Sequence, residues 1–479
     1  MTPVPTATPI PAIPPAVTES TTTLPTVLLA LGVLVAAGVL LWLLARREPA
    51  REAADPVTAV AGGQSAPAVL DAMASLGTAM IDSGYPVGQV RSALDDMAKA
   101  NGLTSAEAVV FPTSILVSSG DAGAVQTRAV TAGDSTALLY QVDAVDRIAG
   151  VARTRTNGAS WVRRQLPRVA GLPKPFTRWQ RIAAYGLLSA ALGVLLGSSW
   201  PGVIAAGVLG MGVGALLLGT EHLAAAYQAL VVVAASFGVG VVMLGVAHLI
   251  DPGVLPAIVA PLIMLLPGGL LTIGVIELAT GHIVSGAARL AAGAIRLLLL
   301  ATGIVAAAAL IGVPSVTATH WPLGPVAPWV AVAVFGVGIS VYQCARPSSI
   351  GWILVVLYVA YGAQVLGDVF FDGVLSALVG AAAMTPVAVV VARQRTGPPA
   401  LVSFLPAFWL LVPGALGLIG VATALDGESS GTNAIITTIA TMVSIALGVL
   451  LGLVASGSAR GFRSAPAAEW MDDTPAESS

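Results

Sequence analysis

Apolar residues in this chain gather in long runs. From Ile182 onward ten runs follow one another, at 182–198, 201–220, 226–247, 254–279, 292–313, 326–343, 350–367, 373–392, 401–424 and 433–455. A helix needs about 20 apolar residues to cross the hydrocarbon of a bilayer, so each run predicts a membrane span. One earlier run, 24–44, ends at Arg46-Arg47. A cleaved leader carries its positive charge ahead of the apolar core. Here the charge follows, which predicts a retained N-terminal anchor.

Residues 66–152 are patterned differently. Val69, Leu70, Met73, Leu76, Met80 and Ile81 recur at helical spacing within 66–83, giving a helix with one apolar face. Gly84-Tyr85-Pro86 ends it, and a second helix over 87–100 stops at Asn101-Gly102. A strand is expected over 108–118 and a shorter one over 124–130. Asp134-Ser135 would cap a third helix over 136–151, with Leu138, Leu139, Val142, Val145 and Ile148 inward. This predicts a small α+β domain. Residues 1–23 are Pro/Thr-rich and expected to be disordered, 48–65 read as a linker and 456–479 as a tail.

Composition agrees with the runs. The chain has 479 residues, 56% hydrophobic and 10% charged. Soluble domains average roughly 25% charged. A single cysteine, Cys344, excludes an intramolecular disulfide and a cysteine metal cluster. The 4 histidines have no metal-ligand spacing. The α+β domain has no histidine, no phosphate-binding loop and no Ser/His/Asp set. No enzyme, cofactor or metal is expected.

The distribution of charge says more than its net value of -2. Residues 153–181 carry seven arginines, one lysine and no acid just ahead of a span, which fits a juxtamembrane segment facing anionic lipid rather than nucleic acid. Between 182 and 455 the only basic residues are Arg289, Arg296, Arg346, Arg393 and Arg395. With Arg181 in the cytoplasm, the ten runs thread so that all five, and Arg460 and Arg463, fall on the cytoplasmic side. The expected topology has 48–181 and the C-terminus cytoplasmic. The Arg-over-Lys bias suggests a GC-rich bacterial genome.

One run holds Pro267-Gly268-Gly269, and 146 residues later another holds Pro413-Gly414. At the same offset Pro201 meets Pro347. Proline and glycine break a helix and free backbone groups that lipid cannot satisfy, which is tolerated where a cavity or protein supplies partners. Matched broken helices in two halves mark transporter sites. Halves of 182–313 and 326–455 with five spans each would be inverted relative to one another. The predicted fold is a polytopic α-helical membrane protein, with a ten-span core of two inverted five-helix repeats, the α+β domain and an extra N-terminal span.

The order of features resembles the threonine/serine exporter family of bacterial inner-membrane proteins. These features are Ser83-Gly84-Tyr85-Pro86, Val90-Arg91 and Leu94, Phe111-Pro112-Thr113, a basic segment, then spans bearing Pro267-Gly268, Glu277, Gly286 and Arg289. The likeness covers about 66–456, and the span at 24–44 departs from it. The resemblance implies efflux of threonine and serine driven by the proton motive force. Dicarboxylate or other small-metabolite export, and a membrane-embedded sensor, are the alternatives.

Proton-coupled export needs a group that changes charge and polar contacts for a zwitterion. Glu277, ten residues past Pro267-Gly268 and so about 15 Å along a helix, is the first proton-coupling candidate. Its structural alternative is an ion pair with Arg289. His282 and Asp368 are further proton candidates. Pro267, Gly268, Gly269, Thr272, Pro413 and Gly414 are candidates for substrate binding at the breaks. Tyr361 and Gln364 share a face with Tyr358 and Asp368 in the seventh core span and suggest a polar path. Association of the α+β domains into a homo-oligomer is compatible with the sequence.

Overall fold

The computed structural model describes residues 24–47, 65–121, 124–133, 137–313, 323–371, 373–394, 396–411 and 429–457. The N-terminal 1–23, most of the linker, the second break at Pro413-Gly414 and most of the tail lie outside the described residues.

A helix, α1 (Leu24–Arg47), precedes the α+β unit. That unit opens with α2 (Ala66–Asp82) and α3 (Val87–Ala100), whose apolar stripes are buried as the spacing predicts. Three antiparallel strands follow in the order β1 (Ala106–Phe111), β2 (Ser114–Asp121) and β3 (Ala124–Thr131). The single strand expected over 108–118 is therefore a hairpin, with Phe111 opposite Ser114. Pro112 supplies no ladder N–H and turns the chain where the apolar pattern alone runs straight on. Ile115 and Val117 face the helices and are fully buried.

Next come α4 (Leu139–Ala152) and α5 (Gly158–Ala170). The α4 helix starts at Leu139, three residues later than expected, and the Asp134-Ser135 cap expected from the sequence lies outside the described residues. Half of the basic segment belongs to this unit: Ala159 and Val162 are buried in its core while Arg163, Arg164 and Arg168 are exposed.

The remaining elements are α6 (Arg178–Leu195), α7 (Trp200–Thr220), α8 (Ala225–Leu249), a 3₁₀ segment (Pro252–Leu265), α9 (Gly268–Ala279) and α10 (Ile283–Ile311). They are followed by α11 (Ala327–Tyr342), α12 (Pro347–Phe370), α13 (Gly373–Ala392), α14 (Ala400–Leu411) and α15 (Ser429–Ala455). Six of these helices are long and apolar enough to cross a bilayer, and the bent pair of 3₁₀ segment and α9 would make a seventh. Shorter apolar helices stand at Val27–Leu40, Ala327–Tyr342 and Ala400–Leu411. Leu230, Val208, Ile204 and Leu249 are exposed on the outside of the bundle, the surface that a span turns to hydrocarbon. The chain is a polytopic helical membrane protein carrying a small three-stranded sheet.

Close helix contacts are made through small residues. At Gly214 an added Cβ would come 2.8 Å from Tyr185 Cβ, and at Gly286 one would come 2.6 Å from Gly274 O. With little apolar driving force between helices in lipid, such close approach supplies much of the association. The first and second groups of helices meet where α6 packs on α11, with the Arg181 guanidinium donating to Tyr342 O at 2.8 Å. The α1 helix lies along α12, with Ala30 buried beside Gly362.

Candidate functional site

Three prolines, Pro252, Pro256 and Pro261, sit in the segment before α9. Pro256 and Pro261, inside the segment, each lack a backbone donor and in an α-helix would clash with the carbonyl four residues back, so the chain winds as a 3₁₀ helix. Pro267 then starts a new helix, α9, at 66° to the segment before it. Leu271 N–H donates to Pro267 O at 3.0 Å. The amides ahead of it stand at a helix start, where intrahelical acceptors are lacking and the dipole is positive. The expected break at Pro267-Gly268-Gly269 is present. Trp409 of α14 covers it, its Nε1 lying 3.7 Å from where a Cβ on Gly269 would be.

Glu277 lies at the far end of α9 and is 1% exposed. Its Oε2 pairs with Arg289 Nε of α10 at 3.1 Å, the ion pair weighed from the sequence. Its Oε1 accepts a 3.0 Å hydrogen bond from the backbone N–H of Val87. Val87 is the first residue of α3, so its N–H has no intrahelical acceptor. A carboxylate of the membrane bundle thus caps a helix of the α+β unit.

Local chemistry puts that helix start in place. Gly84, at φ +84°, closes α2 in the left-handed conformation. Tyr85 N–H returns to Met80 O at 3.1 Å in the bond pattern that terminates helices at glycine. Pro86 then sets the extended entry to α3. The Tyr85 hydroxyl donates to Asp146 of α4, and burial followed by the Asp146 charge raises its pKa well above the ordinary 10. It therefore remains a donor at physiological pH. Gly88 lies against His282, where an added Cβ would come 2.7 Å from the imidazole Cε1. The His282 ring reaches Thr280 Oγ1 at 3.2 Å, and it makes no hydrogen bond to the Glu277 carboxylate.

A second dock uses another helix start. The Leu139 and Tyr140 amides of α4 donate to Gln343 O at 2.9 Å and Cys344 O at 3.2 Å, in the turn between α11 and α12. Cys344 holds a positive φ of 56° there. Arg346 pairs with Asp143 of α4 at 2.8 Å, and Asp143 also meets Arg147 at 3.1 Å. The α+β unit therefore contacts both groups of helices through positive helix ends.

Thr272 is fully buried one turn into α9, and its Oγ1 has no hydrogen-bond partner. Arg289 Nη2 is likewise buried without one. Glu277, Arg289, His282, Thr272 and the break are thus gathered on the α9–α10 pair. Tyr361, Gln364 and Asp368 belong to α12, which packs on α1, α11, α13 and α14. The Tyr361 ring stands edge-on to Trp329 at 5.0 Å, and Tyr358 OH donates to Trp329 O at 2.9 Å. The structure does not bring this face to the Glu277 cluster. Among the described residues no group of three or more His, Cys, Asp or Glu side chains could hold a metal ion.

Sequence reasoning missed Val87 and Gly88 at the start of α3 and Asp143 within α4, and it counted Arg296 among the arginines on the cytoplasmic side. The helix holding Arg296 begins at Ile283, so this arginine lies 13 residues inside it.

A bundle of apolar helices broken by proline and glycine, with buried polar donors beside the break, has the build of a membrane transporter. The family model described as "Putative threonine/serine exporter" matches residues 71–311, just over half of the chain. The chain belongs to this family of membrane transporters. The match takes in the α+β unit and the helices through α10, and α11–α15 lie beyond it. No curated protein and no solved structure matches the chain.

Proposed function

We propose that this protein exports threonine and serine across a bacterial inner membrane, driven by the proton motive force. Membership of the exporter family carries the substrate assignment. The α+β unit and the C-terminus are placed in the cytoplasm, as the arginine distribution favours. The two groups of helices are read as inverted repeats that rock about the broken helix.

In this reading Glu277 is the proton-coupling group, and its partners supply the mechanism. As a carboxylate it holds both Arg289 and the start of α3. Taking up a proton removes the ion pair and leaves a neutral acceptor for the Val87 N–H. Charge-assisted hydrogen bonds are about twice as strong as neutral ones. Protonation therefore loosens the α+β unit from the first group of helices, while the α4 dock keeps it on the second. The break becomes accessible from the cytoplasm. Loss of the proton restores the cap and closes that side.

The test is efflux of labelled threonine from preloaded proteoliposomes, with and without an imposed pH gradient, for wild type and Glu277→Gln. The proposal expects gradient-driven efflux from wild type only, with threonine exchange retained by both. Equal gradient-driven efflux from the two would remove the proton role from Glu277.

A further inference from the structure

We propose that Arg296 binds the carboxylate of the transported amino acid, in a site completed by the start of α9 and the Thr272 hydroxyl. This rests on the exporter reading above and assigns the residue that holds the substrate.

Arg296 lies 13 residues from the start of the 29-residue α10 and 15 from its end. At 1.5 Å per residue it is about 20 Å from either end. An arginine in the middle of a span faces the bundle interior or water and is normally paired. Arg289, two turns earlier on the same stripe, has Glu277. No carboxylate pairs with Arg296 among the described residues. It is half-buried.

Helix register places Arg296 beside the break. Gly286 abuts Gly274 and Leu278, and Gly293 abuts Leu271, where added Cβ atoms would come within 2.5–2.9 Å. The antiparallel helices thus bring Arg296, three residues past Gly293, level with Gly268 and Gly269. Across the bundle, the Tyr185 hydroxyl of α6 donates to Pro261 O at 3.0 Å and ties that helix to the segment leading into the break.

The unfilled donors describe the ligand. The guanidinium fork of Arg296 matches a carboxylate bidentately. The first amides of α9 add positive dipole to the same place. Thr272 Oγ1 is more than nine-tenths buried and unpartnered, which native structures keep rare unless a ligand or water completes it. Thr272, one turn from Gly268, offers a hydroxyl to a side-chain hydroxyl. A small molecule with a carboxylate and a nearby hydroxyl fits this set.

The test compares threonine with threoninamide, which lacks the carboxylate, as competitors of labelled threonine exchange in proteoliposomes. Wild type, Arg296→Gln and Arg296→Lys are measured, with thermal melts of each to report folding. Arg296→Gln is expected to weaken competition by threonine roughly 10- to 100-fold, the range for losing hydrogen bonds to a charged group, with threoninamide unchanged. Arg296→Lys keeps the charge without the fork and should fall between, which keeps the test open if the glutamine variant does not assemble. Wild-type preference for threonine over threoninamide in either assembled variant would overturn the assignment while the exporter reading stands. Absence of threonine and serine exchange in wild type would overturn that reading and this site with it.

Discussion

The two ends of α9 and the stretches of α10 beside them make opposite use of charge. At the Glu277 end an acid, an arginine, a helix start and a histidine meet, and the carboxylate is engaged on both oxygens. At the break, Arg296 has no carboxylate among the described residues and Thr272 Oγ1 has no partner. The first end is built to hold the protein's own parts together. The second is built to be filled by something else. Buried charge is costly in either place, so its pairing or lack of pairing separates structural from ligand-directed groups.

The largest effect should come from breaking the paired end. Arg289→Ala leaves Glu277 buried without its counter-charge, and losing one partner of a buried pair costs about 3–5 kcal/mol. A thermal melt in detergent should show a steep loss of stability, whereas Arg296→Ala, which removes no pair, should stay within about 1 kcal/mol of wild type. The reverse order would break the comparison.

Next is Glu277→Gln, which also removes the counter-charge of Arg289 but, being isosteric, keeps one amide oxygen as an acceptor for Val87 or Arg289. Amide hydrogen exchange across residues 84–90 should speed up by roughly tenfold, as expected for losing about 1–2 kcal/mol of local stability. Unchanged protection there would mean that the carboxylate does not hold the α+β unit.

Gly88→Ala asks whether contact at His282 matters. The new Cβ would come 2.7 Å from the imidazole, which is a movable ring, so the loss should be about 1 kcal/mol and confined to the same amides. Smallest of all should be Arg346→Gln. Arg346 is 25% exposed and Asp143 keeps Arg147, so solvent screening holds the effect to about 1 kcal/mol or less in the melt.

The membrane class and the break were legible because they depend on local signals. Long apolar runs announce spans, and Pro267-Gly268 announces an interruption wherever it falls. The stripe Val69 to Ile81 was legible for the same reason. The docks were not, because the hydrogen bond from Val87 to Glu277 joins residues 190 apart and uses a backbone N–H that any residue could supply. Only the turn Gly84-Tyr85-Pro86 hinted that a helix start was being aimed. Arg296 was misplaced because its apolar run was begun at 292, after Arg289, whereas α10 begins at Ile283, which moves Arg296 from near the end of the span to its middle. The hairpin at Pro112-Thr113 was lost to an apolar pattern that continues across the turn.

The central claim is that this chain moves hydroxy amino acids. Counterflow tests it most directly, with purified protein in liposomes loaded with unlabelled threonine and labelled threonine outside. The account predicts transient accumulation of label, abolished by excess external threonine or serine and untouched by a dicarboxylate. No accumulation of threonine or serine by folded protein, with accumulation of a labelled dicarboxylate instead, would contradict it.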